Sequence, residues 1–426
     1  MRRLGTALLF LFVGPALARA TAAEPVPDGW RPFAVRDEIA PRSWDERGPG
    51  GELVLGLAGR GDDAVDGRWA REVPVVAGKD YGYRASYRAE RVASTARSVL
   101  ARLVWLDASG ETLRPMEYPI AAPSTGPDGW TAMAGVYRVP AGVSRARLEL
   151  HLRWTKDGEV RFKDVDFRES APPPARLVKL ATVHHRPRDT ASPQESREHF
   201  TRLVEQAAAR GADIVCLPEG LTTAGNGLTY AQAAEAVPGP TTEHLGALAR
   251  RLHVWIVAGL YERAGTRLYN TAVLVGRDGT LVGRYRKMSL PDEEIEGGIT
   301  PGSETPVFDT DFGRVGLMIC WDSSYPEVAR SLATRGAEVI FLPIWGGVEE
   351  LVQARAIENQ AYVVASGYDF RSGIFDRRGE RIADAKGDPD VLVAEVDLAS
   401  PTIWPWVGFW GARIGHEAPA WSAPPR

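Results

Sequence analysis

Val315-Gly316-Leu317-Met318-Ile319-Cys320-Trp321-Asp322-Ser323-Ser324-Tyr325-Pro326-Glu327 is the stretch on which the fold turns. Its first part is a short continuous apolar run, as expected of a strand buried on both faces. Ser324 and Glu327 are spaced as a capping box for a following helix, and Gly336 stops that helix. Residues 338–342 form the next apolar run, so the unit reads strand, helix, strand. Working outward, residues 177–183 make another strand candidate. Ser192-Pro193-Gln194-Glu195 opens a helix with a capping pair and proline at its first position. Phe200, Leu203, Val204, Ala207 and Ala208 lie on that helix's buried stripe, and Gly211 ends it. A strand at 214–217, a helix capped by Thr241 or Thr242 and running to about Leu252, a strand at 254–260 and a hairpin turn at Asp278-Gly279 follow. Short buried strands alternating with helices predict an α/β layered domain.

Upstream, Ala171-Pro172-Pro173-Pro174-Ala175 interrupts the chain. Consecutive prolines favour an extended spacer, so residues 171–175 are read as a linker between domains. Before it the hydrophobic period is two. Ala146, Leu148, Leu150, Leu152 and Trp154 alternate with Arg145, Arg147, Glu149, His151 and Arg153, the pattern of a half-buried strand. Tyr81, Tyr83, Ala85, Tyr87 and Ala89 alternate likewise against Arg84, Ser86, Arg88 and Glu90. Val160 and Phe162 lie on one phase, Val165 and Phe167 on the other, which predicts a bulge near Lys163-Asp164. Several short strands without a convincing helix read as an all-β antiparallel sandwich over residues 24–170. Their order and spacing resemble the jelly-roll modules related to carbohydrate-binding and galactose-binding domains, and that resemblance implies a carbohydrate contact. Trp30, Trp44, Trp69, Trp105, Trp130 and Trp154 fall in this half. Such indoles either stack on sugar rings or fill the core of the sandwich.

The whole chain, at 426 residues with 44% apolar and 25% charged residues, suits two globular domains. A net charge of -4 without long runs of one sign argues against nucleic acid as a partner. At the N-terminus, Arg2 and Arg3 precede an apolar stretch over residues 4–13 and the small-residue sites Ala18-Arg19-Ala20 and Ala20-Thr21-Ala22. That is the order of a signal peptide over residues 1–23, and it predicts a secreted or periplasmic protein. The apolar run is too short for a membrane span, which needs about 20 residues. Two cysteines, Cys216 and Cys320, leave no disulfide framework; they either pair with each other or stay free, one of them reactive.

Cys320 closes a strand just before a helix. Unpaired backbone N–H groups and the positive helix end lower a thiol pKa below about 8.5 and stabilise an oxyanion. The alternative for Cys320 is a buried inert cysteine. Glu219, after Leu217-Pro218, stands at the mouth of another buried strand, as a functional acid or as a solvated loop acid. Lys287 ends the run Leu281-Val282-Gly283-Arg284-Tyr285-Arg286-Lys287 and shares a face with Leu281 and Tyr285, where an amine needs a partner.

Leu217-Pro218-Glu219, Tyr285-Arg286-Lys287 and Ile319-Cys320-Trp321-Asp322, in that order, resemble the Glu, Lys and Cys motifs of the nitrilase superfamily of carbon-nitrogen hydrolases. Thr300-Pro301-Gly302, Tyr325-Pro326-Glu327, Arg335-Gly336-Ala337-Glu338 and Arg355-Ala356-Ile357-Glu358-Asn359 match its framework, and the domain is set at residues 176–420. The resemblance implies a four-layer αββα sandwich and hydrolysis of a non-peptide C–N bond, with no cofactor and no metal. It makes Cys320 the nucleophile, Glu219 the general base and Lys287 the stabiliser of the tetrahedral intermediate, with the Trp321 N–H beside it. A second glutamate supports this triad in the family. The interval 291–298 carries Glu294 and Glu296 around Ile295, and Glu296 is the first choice with Glu294 next, as a substrate-side group. Met288-Ser289-Leu290 departs from the common motif, in which a histidine often precedes the leucine. Trp345, at the end of the strand after the nucleophile helix, is a candidate wall of the substrate pocket or a core residue.

The expected substrate is a small amide or N-carbamoyl compound, and the expected assembly a homo-oligomer. An inactive nitrilase-like binding protein and an acyltransferase using the same acyl-enzyme are the alternatives. The Trp-rich tail, with Trp404, Trp406, Phe409 and Trp410, suits either a subunit contact or packing on its own domain.

Overall fold

The computed structural model describes residues 27–122, 124–404 and 407–417; the signal-peptide stretch and Trp406 lie outside the described residues. The N-terminal region is mostly β. One five-stranded sheet runs, in spatial order, Arg31–Phe33, Asp66–Pro74, Arg145–Arg153, Val99–Leu106 and Thr112–Glu117. A six-stranded sheet runs Arg42–Arg47, Leu53–Ala58, Glu159–Glu169, Asp80–Glu90, Thr131–Arg138 and Ile120–Ala121. Inward-facing Trp69, Leu103, Trp105, Leu148 and Leu150 of the first share one core with Leu55, Tyr83, Tyr87 and Phe162 of the second. The register slips between Lys163 and Asp166, where the change of hydrophobic phase places a bulge. Trp30, Trp69 and Trp105 are buried, Trp44 and Trp130 half-buried, and Trp154 exposed, so the six indoles divide between core and surface.

One expectation fails in this region. The polar face of Arg145–Arg153 is only partly solvated: its arginines are half-buried, and Glu149 and His151 are buried. Glu149 takes ion pairs from Arg68 at 3.2 Å, Arg102 at 2.6 Å and Arg147 at 2.9 Å, with His151 at 3.0 Å. A strand's alternation reports two faces, not which of them meets water.

Residues 171–176 carry no regular structure. Beyond them come β1 (Leu177–His184), β2 (Ile214–Cys216), β3 (Trp255–Ala264), β4 (Arg267–Val275) and β5 (Leu281–Arg286). A second sheet is built from β6 (Val307–Asp309), β7 (Arg314–Leu317), β8 (Val339–Pro343), β9 (Tyr362–Ser366), β10 (Gly373–Phe375) and β11 (Arg381–Asp384). Finally β12 (Asp390–Asp397) returns to the first sheet beside β1, giving the order β5-β4-β3-β2-β1-β12. The strands β1 to β3 run parallel, as do β7 to β9. Leu180, Ile214, Val257 and Leu274 of the first sheet share a core with Leu317, Phe341 and Val364 of the second.

The intervening residues of the first sheet, Val183, Val215 and Ile256, meet Phe200 and Val204 of α1 (Pro193–Ala209) and Leu245 and Leu248 of α2 (Pro240–Leu252). Each such apolar side chain, fully buried, contributes roughly 1.5–3 kcal/mol. Ser192 caps α1 through the Glu195 N–H at 3.2 Å. Gly239 caps α2 in place of Thr241 or Thr242, while Thr242 reaches back to accept the Gly239 N–H at 2.8 Å. After a short helix α3 (Asp292–Glu296), helices α4 (Pro326–Thr334) and α5 (Glu349–Asn359) cover the second sheet through Val328, Leu332, Val352 and Ala356. The helix after Cys320 starts at Pro326 with Tyr325 as its cap, so Ser324 belongs to a preceding 3-10 turn.

The described part of the tail packs within the chain. Trp404 meets Trp410 edge to face at 6.0 Å, and the His416 ring lies 5.9 Å from Tyr118 of the N-terminal region.

Candidate active site

Three segments that leave strand ends converge. Glu219 follows β2 behind Leu217 and Pro218, and Gly259 of β3 makes room for it: a Cβ there would stand 2.6 Å from the Glu219 Cα. Lys287 follows β5 directly, and Cys320 follows β7. Cys320 itself has φ +43°, a left-handed conformation that a residue with a side chain holds only under constraint. Asp322, fully buried, supplies the constraint. Its Oδ2 accepts the Ile319 N–H at 2.9 Å and the Tyr285 hydroxyl at 2.7 Å, and its Oδ1 accepts the Ser289 N–H at 2.9 Å.

Lys287 is 1% exposed, and its ammonium donates to Glu219 Oε1 at 3.0 Å and Glu294 Oε1 at 2.9 Å. Burial opposes the charge, but Glu219, the Cys320 sulfur and Glu294 outweigh burial and hold Lys287 above the ordinary lysine range. Glu219 is 2% exposed and Glu294 4%. Two carboxyl groups thus compete for one ammonium. Burial raises Glu294 to about 7 against the pull of Lys287, with the charge of Glu219 adding to the rise.

The Cys320 thiol donates to the Gly346 carbonyl at 3.5 Å and interacts with Glu219. Burial, then the charge of Glu219, pushes it up to about 12, while Lys287 and a backbone hydrogen bond at Trp345 pull the other way. The expected lowering of the thiol pKa is not met. The helix start is displaced to Pro326, and desolvation beside a carboxylate outweighs the dipole. Burial and the neighbouring carboxylate thus favour the thiol over the thiolate.

Glu296 does not join the site. It is exposed, whereas Glu294 of the same helix is buried against Lys287. At 3.6 residues per turn, positions two apart point to nearly opposite sides, so only one can reach inward. Ile295, at the position that spacing favours, is 57% exposed. Trp321 is 41% exposed and meets Tyr325 edge to face. Trp345 is half-buried; its ring packs on Tyr368 with centroids 4.7 Å apart.

Two further polar groups stand here that the sequence reading passed over. Asn270, fully buried in β4, donates to Glu219 Oε1 at 2.6 Å and Glu294 Oε1 at 2.7 Å. Asn270-Thr271 inside an otherwise apolar strand is the signal that marks it. Tyr368 buries a hydroxyl without a hydrogen-bond partner among the described residues and feels the charge of Glu219. Among the described residues no His, Cys, Asp and Glu cluster has the makeup of a metal site. Cys216 and Cys320 are both free, and burial holds the Cys216 thiol above its usual range.

A half-buried thiol, a carboxylate beside it and a lysine held between two acids thus stand together at the ends of three strands. The carbon-nitrogen hydrolase family model matches residues 179–405, and the chain belongs to that family. It is an amidase-type enzyme. The chain is 32% identical over 228 residues to omega-amidase NIT2 of Homo sapiens, an alignment covering 46% of this chain and 80% of that protein. It is 34% identical over 253 residues to the deaminated glutathione amidase of Synechocystis sp. (strain PCC 6803 / GT-S), covering 52% and 91%. A solved carbon-nitrogen hydrolase from Helicobacter pylori G27 is 27% identical with a TM-score of 0.46, covering 53% of this chain and 90% of that chain.

Proposed function

We propose that this enzyme hydrolyses a small amide or N-carbamoyl compound through an acyl-enzyme on Cys320, within a four-layer αββα domain. The observation that carries the reading is the Lys287 ammonium, bonded at 3.0 and 2.9 Å to two buried carboxylates beside a thiol that needs a base. Glu219 takes the thiol proton as sulfur attacks the carbonyl carbon. The third N–H of Lys287 and the Trp321 N–H hold the oxyanion. The C–N bond then breaks, and the leaving nitrogen takes the proton from Glu219. Water attacks the thioester, gives a proton to Glu219 and restores the thiol as the acid departs. Trp345 and Tyr368 wall the acyl pocket.

The N-terminal region is proposed as a jelly-roll-like module that contacts carbohydrate. Support comes from a cleft of about 400 Å³ lined by Trp130, Arg88, Arg161, Lys163, Glu46 and Asp128. Export through residues 1–23 rests on their charged, apolar, small-residue order, and assembly into a homo-oligomer on the exposed Trp321 and Tyr325.

Mass spectrometry of the enzyme mixed with small aliphatic amides tests the reading. An acyl adduct on Cys320 with release of ammonia, both lost in Cys320→Ala, is expected; turnover persisting in Cys320→Ala overturns it.

A further inference from the structure

We propose that Asn270 is a positioning residue of this site: its amide occupies Oε1 of Glu219 and so leaves Oε2 as the oxygen that takes the thiol proton. The inference rests on the reading of Glu219 as the base. Asn270 lies within β4, paired with Tyr261 across the ladder, and is 0% exposed. Its orientation follows from its neighbours, since an amide oxygen turned toward two carboxylates would repel both. One Nδ2 hydrogen goes to Glu219 Oε1 at 2.6 Å and the other to Glu294 Oε1 at 2.7 Å. Lys287 Nζ donates to the same two oxygens at 3.0 and 2.9 Å. Two donors and two acceptors therefore close a ring, in which neither carboxylate can turn without breaking two charge-assisted bonds.

The backbone carbonyl of Asn270 accepts the backbone N–H of Lys287 at 2.8 Å, which fixes the two residues side by side whatever side chain stands at 270. Within Glu219 the ring distinguishes the two oxygens. Oε1 accepts from an ammonium and an amide, which makes it the poorer base. Oε2 is buried, accepts no hydrogen bond from an amide or ammonium among the described residues, and remains the better one. A lysine alone, with three freely rotating donors, could not impose that choice. Asn270 touches neither the thiol nor, in this reading, the substrate.

The test compares Asn270→Leu and Asn270→Asp in the full-length enzyme. Leucine keeps the volume and removes both donors; aspartate keeps the shape, adds a third acid around one ammonium, and carries the test where the leucine variant does not fold. Loss of N–H bonds that favour the charged carboxylate should move the acid limb of kcat/KM upward, by about one pH unit for Asn270→Leu and further for Asn270→Asp. In both, kcat should fall at least about tenfold with KM within about threefold, as for loss of an aligned general base. The pH dependence of Cys320 alkylation by iodoacetamide should move with it. An unchanged pH profile, with activity lost only in proportion to the folded fraction by circular dichroism, overturns the inference. Wild-type enzyme without turnover or Cys320 adduct would instead overturn the reading on which it rests.

Discussion

The Tyr285 hydroxyl donates to Asp322 at 2.7 Å and joins the strand that ends in Lys287 to the turn that carries Cys320. The segments of Lys287 and Cys320 are thereby held by one carboxylate, whose other acceptances come from the backbone N–H groups of Ile319 and Ser289.

Tyr285→Phe removes the bond donated to a charged, buried acceptor and the oxygen that accepts the Met288 N–H at 3.2 Å, a loss of about 2 kcal/mol or more. Asp322→Asn should cost more, because an amide cannot accept all three bonds and sets a donor against a backbone N–H. Both should lower kcat more than they raise KM, through loosening of the turn at Cys320. Urea unfolding with steady-state kinetics checks this; Tyr285→Phe with wild-type stability and kcat would refute the clamp.

Glu294 and Glu296 separate by mutation. Glu294→Gln leaves the lysine with one carboxylate and should reduce kcat about 100-fold or more, the scale seen on removal of a preorganised electrostatic partner. Glu296→Gln alters an exposed side chain and should leave kcat within about twofold. Equal effects would contradict the inward placement of Glu294.

The thiol makes an opposed pair of predictions for Glu219→Gln. The carboxylate charge helps raise the Cys320 pKa toward about 12, so its removal should lower the pH at which free thiolate appears. The same change removes the proposed base and should cut amide turnover by about 100-fold or more. Rates of iodoacetamide labelling against pH, beside kcat, read both. A thiol that titrates higher in the variant would reverse the sign and defeat the account.

In the N-terminal region, burial pushes Glu149 up, but the His151 hydrogen bond and the charges of His151, Arg102 and Arg68 outweigh it and leave it far below the usual range. A depressed folded pKa contributes stability that is present above the unfolded value, near 4.5, and lost as pH falls below it. The transition of this region should therefore weaken on acidification below about pH 4.5. Glu149→Gln should be less stable at neutral pH and lose less on acidification. Thermal melts across pH 3 to 7 measure both slopes, and parallel slopes would rule out Glu149 as the source.

Much of the candidate site was legible because strand ends announce themselves locally. The apolar run into Cys320, the proline before Glu219 and the shared face of Lys287 and Tyr285 need only a few neighbouring residues to be read. Asn270 escaped notice because one polar residue in a buried strand does not say which polar groups it meets. The buried face of Arg145–Arg153 escaped for the same kind of reason, since alternation separates two faces without naming what covers them.

By itself the sequence determined the division into a β region and an α/β region, the strand-helix alternation, and the three segments that hold Glu219, Lys287 and Cys320. Those features come from periodicity, caps and turns, whose physics acts within a few residues. Only the tertiary structure decided that Glu294 rather than Glu296 faces Lys287, that burial and Glu219 raise the thiol pKa, and that Asn270 closes the ring. These depend on desolvation and on bonds between groups 51 and 68 positions apart, Asn270 to Glu219 and Lys287 to Glu219. Such energies exist only once folding has excluded water and brought the charges within about 3 Å of one another.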